Sequence, residues 1–346
     1  MNTYITINYV ILGVLFAFLL AEAMSAMAFL YDKKSLPNVK KYLDPIWAVV
    51  GTFAVFFVVN TEVLYPSIMP NIDYLYVFPI LLATLLFIAR NMLLVFSEYI
   101  WKNSKFSQLL LARVYSLVSF VIVIILLGVF LSIITGLGAN ASLNSFSFSA
   151  FVSNYYSIGF IAGILLIAFG LMFAFYRIKK LKVLSPISTI LGLLIFVFSM
   201  HGLGLYVNYI TYILAAAVAA ISVMYLITGK SRREAILVTA FLSVLSINLL
   251  NYGKVFGTRS LSSFINNSAV NSAGLIVTII GGILLTLMLV FFLYMYKRPE
   301  LETDYQKDYK DEQNPFSNIG IANLYIMPKN NKENGKEHKK RKNRVR

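Results

Sequence analysis

Residues 4–31 read YITINYVILGVLFAFLLAEAMSAMAFLY, and Asp32-Lys33-Lys34 follow directly. Within those 28 residues the only charged side chain is Glu22. A helix needs about 20 apolar residues to cross roughly 30 Å of hydrocarbon. Only helices and closed barrels satisfy their backbone groups in that medium. The apolar residues run on without period-two alternation, so the stretch reads as a helix. It is also long enough to be a permanent first span rather than a removed signal.

Working outward, eight more such runs follow, giving spans at about 4–31, 46–67, 74–101, 109–137, 155–176, 187–207, 209–228, 236–253 and 274–296. The fold expected is an all-α polytopic membrane protein of about nine transmembrane helices. Basic residues collect in alternate gaps. Lys33, Lys34, Lys40 and Lys41 fill the first, Lys102 and Lys105 the third, Arg177, Lys179, Lys180 and Lys182 the fifth, and Lys230, Arg232 and Arg233 the seventh. The even gaps hold only Lys254 and Arg259. The positive-inside rule then places the N-terminus outside and the C-terminus inside, as an odd number of spans requires.

Asn8-Tyr9 precedes Lys33-Lys34 by the same 25 residues that separate Asn154-Tyr155 from Lys179-Lys180. This weak parallel repeat divides the chain into a first four-helix unit (1–137), a second (138–253), an outer loop with a ninth helix (254–296) and a charged cytoplasmic tail (297–346). The tail is poor in aliphatic residues and ends in Lys339–Arg346, the composition of a disordered, solvated segment. It could also grip anionic headgroups. The outer loops carry two sequons, Asn140-Ala141-Ser142 and Asn266-Asn267-Ser268.

Composition narrows the chemistry. The chain is 59% hydrophobic with mean hydropathy +0.75 and a net charge of +15. Of its 30 Lys+Arg, 13 lie in the tail and most others in the gaps, which is a topology signal rather than a nucleic-acid footprint. With no cysteine and two histidines, His201 and His338, the chain lacks the ligands for thiolate metal sites and for most haem sites. No phosphate loop, catalytic triad or metal cluster is visible, and no nucleophile stands out.

Ionisable groups inside the spans need a partner or a wet cavity. Glu22 in span one and Arg90 in span three lie at similar depth by helix rise, so the two can pair. Such a pair would either lock two helices or serve a proton path or a quinone headgroup. Glu98 and Glu62 lie near membrane edges, where a solvated carboxylate suffices. Arg113 can snorkel to the inner headgroups. His201 reads as a packing histidine or, less simply, a haem ligand or proton relay. Asn248 and Asn251 in span eight are candidates for interhelical hydrogen bonds. Gly281-Gly282 and Ala215–Ala220 permit close approach of another helix, of this chain or a partner. Trp47 and Trp101 read as interface anchors.

Between Asp44 and Trp101 the chain carries Pro45-Ile46-Trp47, Leu64-Tyr65-Pro66, Tyr76, Pro79-Ile80-Leu81-Leu82-Ala83 and Leu86-Phe87-Ile88-Ala89-Arg90. This resembles the second and third helices of subunit II of cytochrome bd-type quinol oxidases. Phe264–Ser268 and Tyr294–Tyr296 resemble the two ends of that family's last helix. The resemblance implies two four-helix bundles plus one helix, haem carried on a partner subunit, and contact with quinol and membrane lipids. It implies a role for Glu22, which matches the first of two acidic residues in the family's helix one. Ser25 stands where the second would be, and Ala48, Val49, Val50 and Gly51 replace an acidic–Asn–Glu segment. Those carboxylates are implicated in the family's proton supply, so their loss argues against proton conduction here. In size and class the chain also resembles the second large subunit of an archaeal Dox-type oxidase.

The function expected is a haem-free, non-catalytic membrane subunit of a respiratory terminal quinol oxidase in the cell membrane. No cofactor is expected on this chain alone, and its partners would be a haem-bearing subunit, lipids and quinol. A secondary transporter with internal repeats is the alternative, and a lipid-modifying membrane enzyme a third. Broken helices around a midplane polar site would mark the transporter, and clustered interfacial His, Asp or Glu the enzyme.

Overall fold

A computed structural model describes residues 3–31, 36–96, 105–140, 145–178, 181–257, 259–261 and 269–295. The chain divides into two units, Met1–Met295 and Tyr296–Arg346; all described residues belong to the first, and the expected tail lies outside them. Eleven helices are present among these residues: α1 (Thr3–Tyr31), α2 (Leu36–Leu64), α3 (Met69–Leu75), α4 (Val77–Val95), α5 (Lys105–Thr135), α6 (Phe148–Ser153), α7 (Tyr155–Phe175), α8 (Leu184–Gly202), α9 (Tyr209–Thr228), α10 (Arg233–Leu250) and α11 (Ala269–Met295). A two-residue hairpin, β1 (Lys254–Val255) with β2 (Arg259–Ser260), joins the last two.

The chain is an all-α polytopic membrane protein. Among the described residues six helices are long and apolar enough to cross a membrane: α1, α5, α7, α8, α9 and α10. A seventh span forms if α3 and α4, bent by 78° at Tyr76, are taken together. The helices α2 and α11 contribute the shorter apolar segments Val50–Leu64 and Gly274–Leu284.

Burial sorts these helices. α1 is apolar on every face, and an all-round apolar helix belongs in a protein interior. It packs on α2, α5, α7, α10 and α11. By contrast α9 and α11 keep large apolar side chains such as Ile213, Ile227, Ile276 and Phe291 exposed, as lipid-facing helices do. The α7–α8 contact is the most intimate. A Cβ at Gly163 would meet Phe196 N at 2.9 Å and Gly192 O at 3.0 Å, and one at Gly192 would meet Gly163 O at 2.7 Å. Serines close the same seam: Ser185 Oγ donates to Gly170 O at 2.8 Å and Ser188 Oγ to Leu166 O at 2.7 Å. Small residues let the backbones approach and their hydroxyls tie the helices together.

The structure adds detail to the expected pattern at three points. Pro45 does not open the second helix, which begins at Leu36, continues through Pro45 and takes Lys40 and Lys41 out of the gap. A transmembrane helix tolerates one lost backbone bond of this kind. The loop before span five holds α6, whose first turn is capped by Ser147 accepting from Ala150 N at 3.3 Å. The paired Asn-Tyr landmarks are not equivalent. Asn154 caps α7 by accepting from Tyr156 N and Ser157 N, whereas Asn8 lies inside α1 and accepts from Asn60 Nδ2 at 3.1 Å.

Candidate functional site

Glu22 and Arg90 meet in the interior, with Arg90 Nη1 2.6 Å from Glu22 Oε1 and side-chain exposures of 2% and 0%. The two helices are not close neighbours. α4 packs chiefly on α5, and α5 on α1, so the long arginine side chain crosses the gap between α4 and α1. Its guanidinium carbon lies 4.4 Å from the Phe87 ring centre and 5.8 Å from that of Tyr115. The hydroxyls of Ser119 and Tyr115, both on α5, also face the Glu22 carboxylate. Three helices thus converge on one charge pair, with aromatic faces taking up the cation's remaining surface.

One turn further along α1, Ser25 Oγ donates to Ala21 O at 2.7 Å and is hydrogen-bonded to the Tyr176 hydroxyl at the end of α7. The position where the resemblance implies an acid therefore holds a neutral hydroxyl pair joining α1 to α7.

At the other end of α1, Asn60 donates to Asn8 and accepts from Thr278 Oγ1, linking α1, α2 and α11. Tyr9 Oη accepts from Gly253 N at 3.0 Å, fixing the hairpin that precedes α11. Tyr65, in the turn after α2, is buried in one cluster with Ile5, Tyr9 and Tyr76. Tyr76, at the α3–α4 bend, shares a 2.7 Å hydrogen bond with Ser132.

The remaining candidates scatter. Glu62 and Arg113 are exposed, and Glu98 and Trp101, with the Trp47 side chain, lie outside the described residues. His201 is exposed at the end of α8, its Nε2 3.0 Å from Tyr212 Oη. Asn251 does bond between elements: its Oδ1 accepts from Tyr206 N at 2.8 Å and its Nδ2 donates to Tyr206 O at 3.3 Å. Asn248 Nδ2 instead donates to Val244 O of its own helix at 2.8 Å. Gly281 seats the Phe56 ring of α2, which assigns that close approach to a helix of this chain, whereas Gly282 faces open space. Asn140 of the first sequon accepts from Ser145 N at 3.2 Å, and the second sequon lies outside the described residues.

Sequence reasoning paired Glu22 with Arg90 but missed Tyr115, Ser119 and Phe87 around them. It also missed the Asn8–Asn60–Thr278 link, although two amides within apolar runs were the available signal.

No family model matches the chain, and no curated protein matches it in sequence. The structure is similar to a chain of the bd oxidase from Geobacillus thermodenitrificans, with a TM-score of 0.59 at 15% identity. The likeness covers 86% of this chain and 100% of that one. At that identity the likeness is one of fold, and the fold is that of a bd oxidase chain at the level of helix arrangement.

Proposed function

We propose that the chain is a haem-free integral subunit of a terminal quinol oxidase complex in the cell membrane. The observation that carries this reading is the fold likeness, which runs the whole length of a bd oxidase chain. The residue chemistry supports the haem-free part. Two histidines are the full supply, and His201 is exposed and bonded to Tyr212. A haem–copper centre needs several enclosed imidazoles, and a two-histidine haem needs both inside the bundle. Haem and oxygen chemistry then belong to a partner subunit, with quinol as reductant and this chain as scaffold.

Within that role the Glu22–Arg90 pair acts as a lock holding α1 and α4 to α5. A proton path through Glu22 is the competing use, and the neutral Ser25–Tyr176 pair one turn away argues against it. The domain scheme of two four-helix units and a cytoplasmic tail, with the N-terminus outside, belongs to the same proposal.

The test is a tagged chain purified in mild detergent, its companions identified and quinol-dependent oxygen uptake followed. Recovery of a haem-bearing subunit, with uptake lost when the chain is deleted, is expected. A chain that travels alone and leaves uptake unchanged on deletion overturns the proposal. Among the described residues the bent α3–α4 pair is a further observation that favours a transporter. Its break is at Tyr76, at the start of α4 and 14 residues before Arg90, so it does not fall at the buried charge pair.

A further inference from the structure

A cavity of about 140 Å³ lies among α1, α5, α7, α8, α9 and α10, away from the Glu22–Arg90 pair. Its lining follows α7 from Phe160 to Leu171 and α10 from Ile236 to Asn248. At ~1.5 Å rise per residue those stretches are roughly 16–18 Å long, so the space is a slot parallel to the helix axes. Its walls are almost wholly apolar, and an apolar cavity of this size stays dry and takes an apolar guest.

One end of the slot differs. Thr211, in the first turn of α9, and Ser246, in the last two turns of α10, contribute buried hydroxyls for which no hydrogen-bond partner is present among the described residues. Thr211 is only 7% exposed. Thr239 and Ser243 also line the slot but bond back to Ala235 O and Thr239 O, the ordinary resort of a hydroxyl in a helix. Leaving two buried hydroxyls unmatched in hydrocarbon is unfavourable unless something completes them. The paired need is for an acceptor oxygen at the Thr211–Ser246 end and a slender apolar tail below it.

We propose that this slot binds one acyl chain of a membrane lipid or fatty acid, its carbonyl oxygen accepting from Thr211 and Ser246. The length of the lining and its nearly unbroken apolar character suit an extended apolar chain headed by one acceptor oxygen. The inference is independent of the oxidase reading, since any membrane offers acyl chains.

The test uses the full-length protein in its native assembly and a fatty acid bearing a photoreactive diazirine near its methyl end, with labelled peptides mapped by mass spectrometry. Labelling is expected on slot residues of α7 and α10 such as Leu171 and Ile236. It should fall about tenfold in the Thr211→Val/Ser246→Ala double variant, the effect of one to two net hydrogen bonds. That variant removes only unmatched hydroxyls, so its fold and thermal midpoint should hold. Ala240→Leu, which narrows the slot, should reduce labelling further. Labelling confined to lipid-facing residues such as Ile213, or unchanged in the double variant, overturns the proposal. So does displacement of the probe by an isoprenoid quinone as readily as by unlabelled oleate, which would assign the slot to a ring-bearing ligand.

Discussion

Breaking the Glu22–Arg90 pair one partner at a time should reveal which charge the fold cannot leave alone. Both side chains are buried and 2.6 Å apart, with Arg90 reaching α1 from a helix it does not pack against closely. Removing one member of a buried pair destabilises by about 3–5 kcal/mol because an unmatched charge remains. The two removals are not equivalent. Arg90→Met leaves a carboxyl, which can discharge by taking up a proton. Glu22→Gln leaves a guanidinium, which cannot shed its proton in a protein. Glu22→Gln should therefore sit at the upper end of that range and Arg90→Met at or below the lower end. The double variant Glu22→Gln/Arg90→Met should fall short of the additive loss by about 2–3 kcal/mol, the coupling between the two charges. In thermal unfolding of the detergent-solubilised protein, the worst single variant should lose roughly 10–20 °C at about 2–4 °C per kcal/mol. Unfolding of such proteins is often irreversible, so all variants are compared at one scan rate. Additive losses in the double variant, or Arg90→Met falling further than Glu22→Gln, would refute the reasoning.

Four further outcomes follow from the packing. Gly192→Leu should abolish recovery of folded protein, because even its first added carbon meets Gly163 O at 2.7 Å, whereas Gly282→Ala should be neutral within about 0.5 kcal/mol, judged by size-exclusion profile and melting. Asn251→Ala removes both bonds to the Tyr206 backbone and should cost about 1–3 kcal/mol in the same melting assay, with Asn248→Ala milder. Because the chain has no cysteine, single cysteines report topology cleanly: an impermeant maleimide on intact cells should label Ser149→Cys but reach Lys182→Cys only after the membrane is opened. Oxygen uptake by a Glu22→Gln complex that stays assembled should keep its pH profile if the pair is only a lock; a slope change across pH would restore a proton path.

The helices were legible because hydrocarbon leaves a sequence few options. Apolar runs near 20 residues and basic residues in alternate gaps located α1, α4, α5 and α7–α11 to within a few residues. The start of α2 was hidden by its own composition, since Pro37, Lys40, Lys41 and Pro45 read as a gap and a helix opening. α6 was hidden by brevity, though Ser147 is a preferred capping residue.

Depth along two helices sufficed to pair Glu22 with Arg90, because a charge in lipid needs a countercharge at its own level. Depth says nothing about which third helix fills the space between them. Tyr115 and Ser119 were invisible for that reason: a serine hydroxyl in a helix usually satisfies itself on its own backbone, a tyrosine hydroxyl reaches well beyond its helix, and only tertiary placement shows what either faces. The same limit explains the reversal at α10, where Asn251 reaches another element and Asn248 turns back on its own turn.

The most direct measurement is the visible absorption spectrum of this polypeptide after chromatographic separation from its companions, beside that of the intact assembly. If the chain is a haem-free partner, the Soret and α bands stay with another subunit and the isolated chain is colourless. A porphyrin band retained stoichiometrically by the isolated chain would contradict that role.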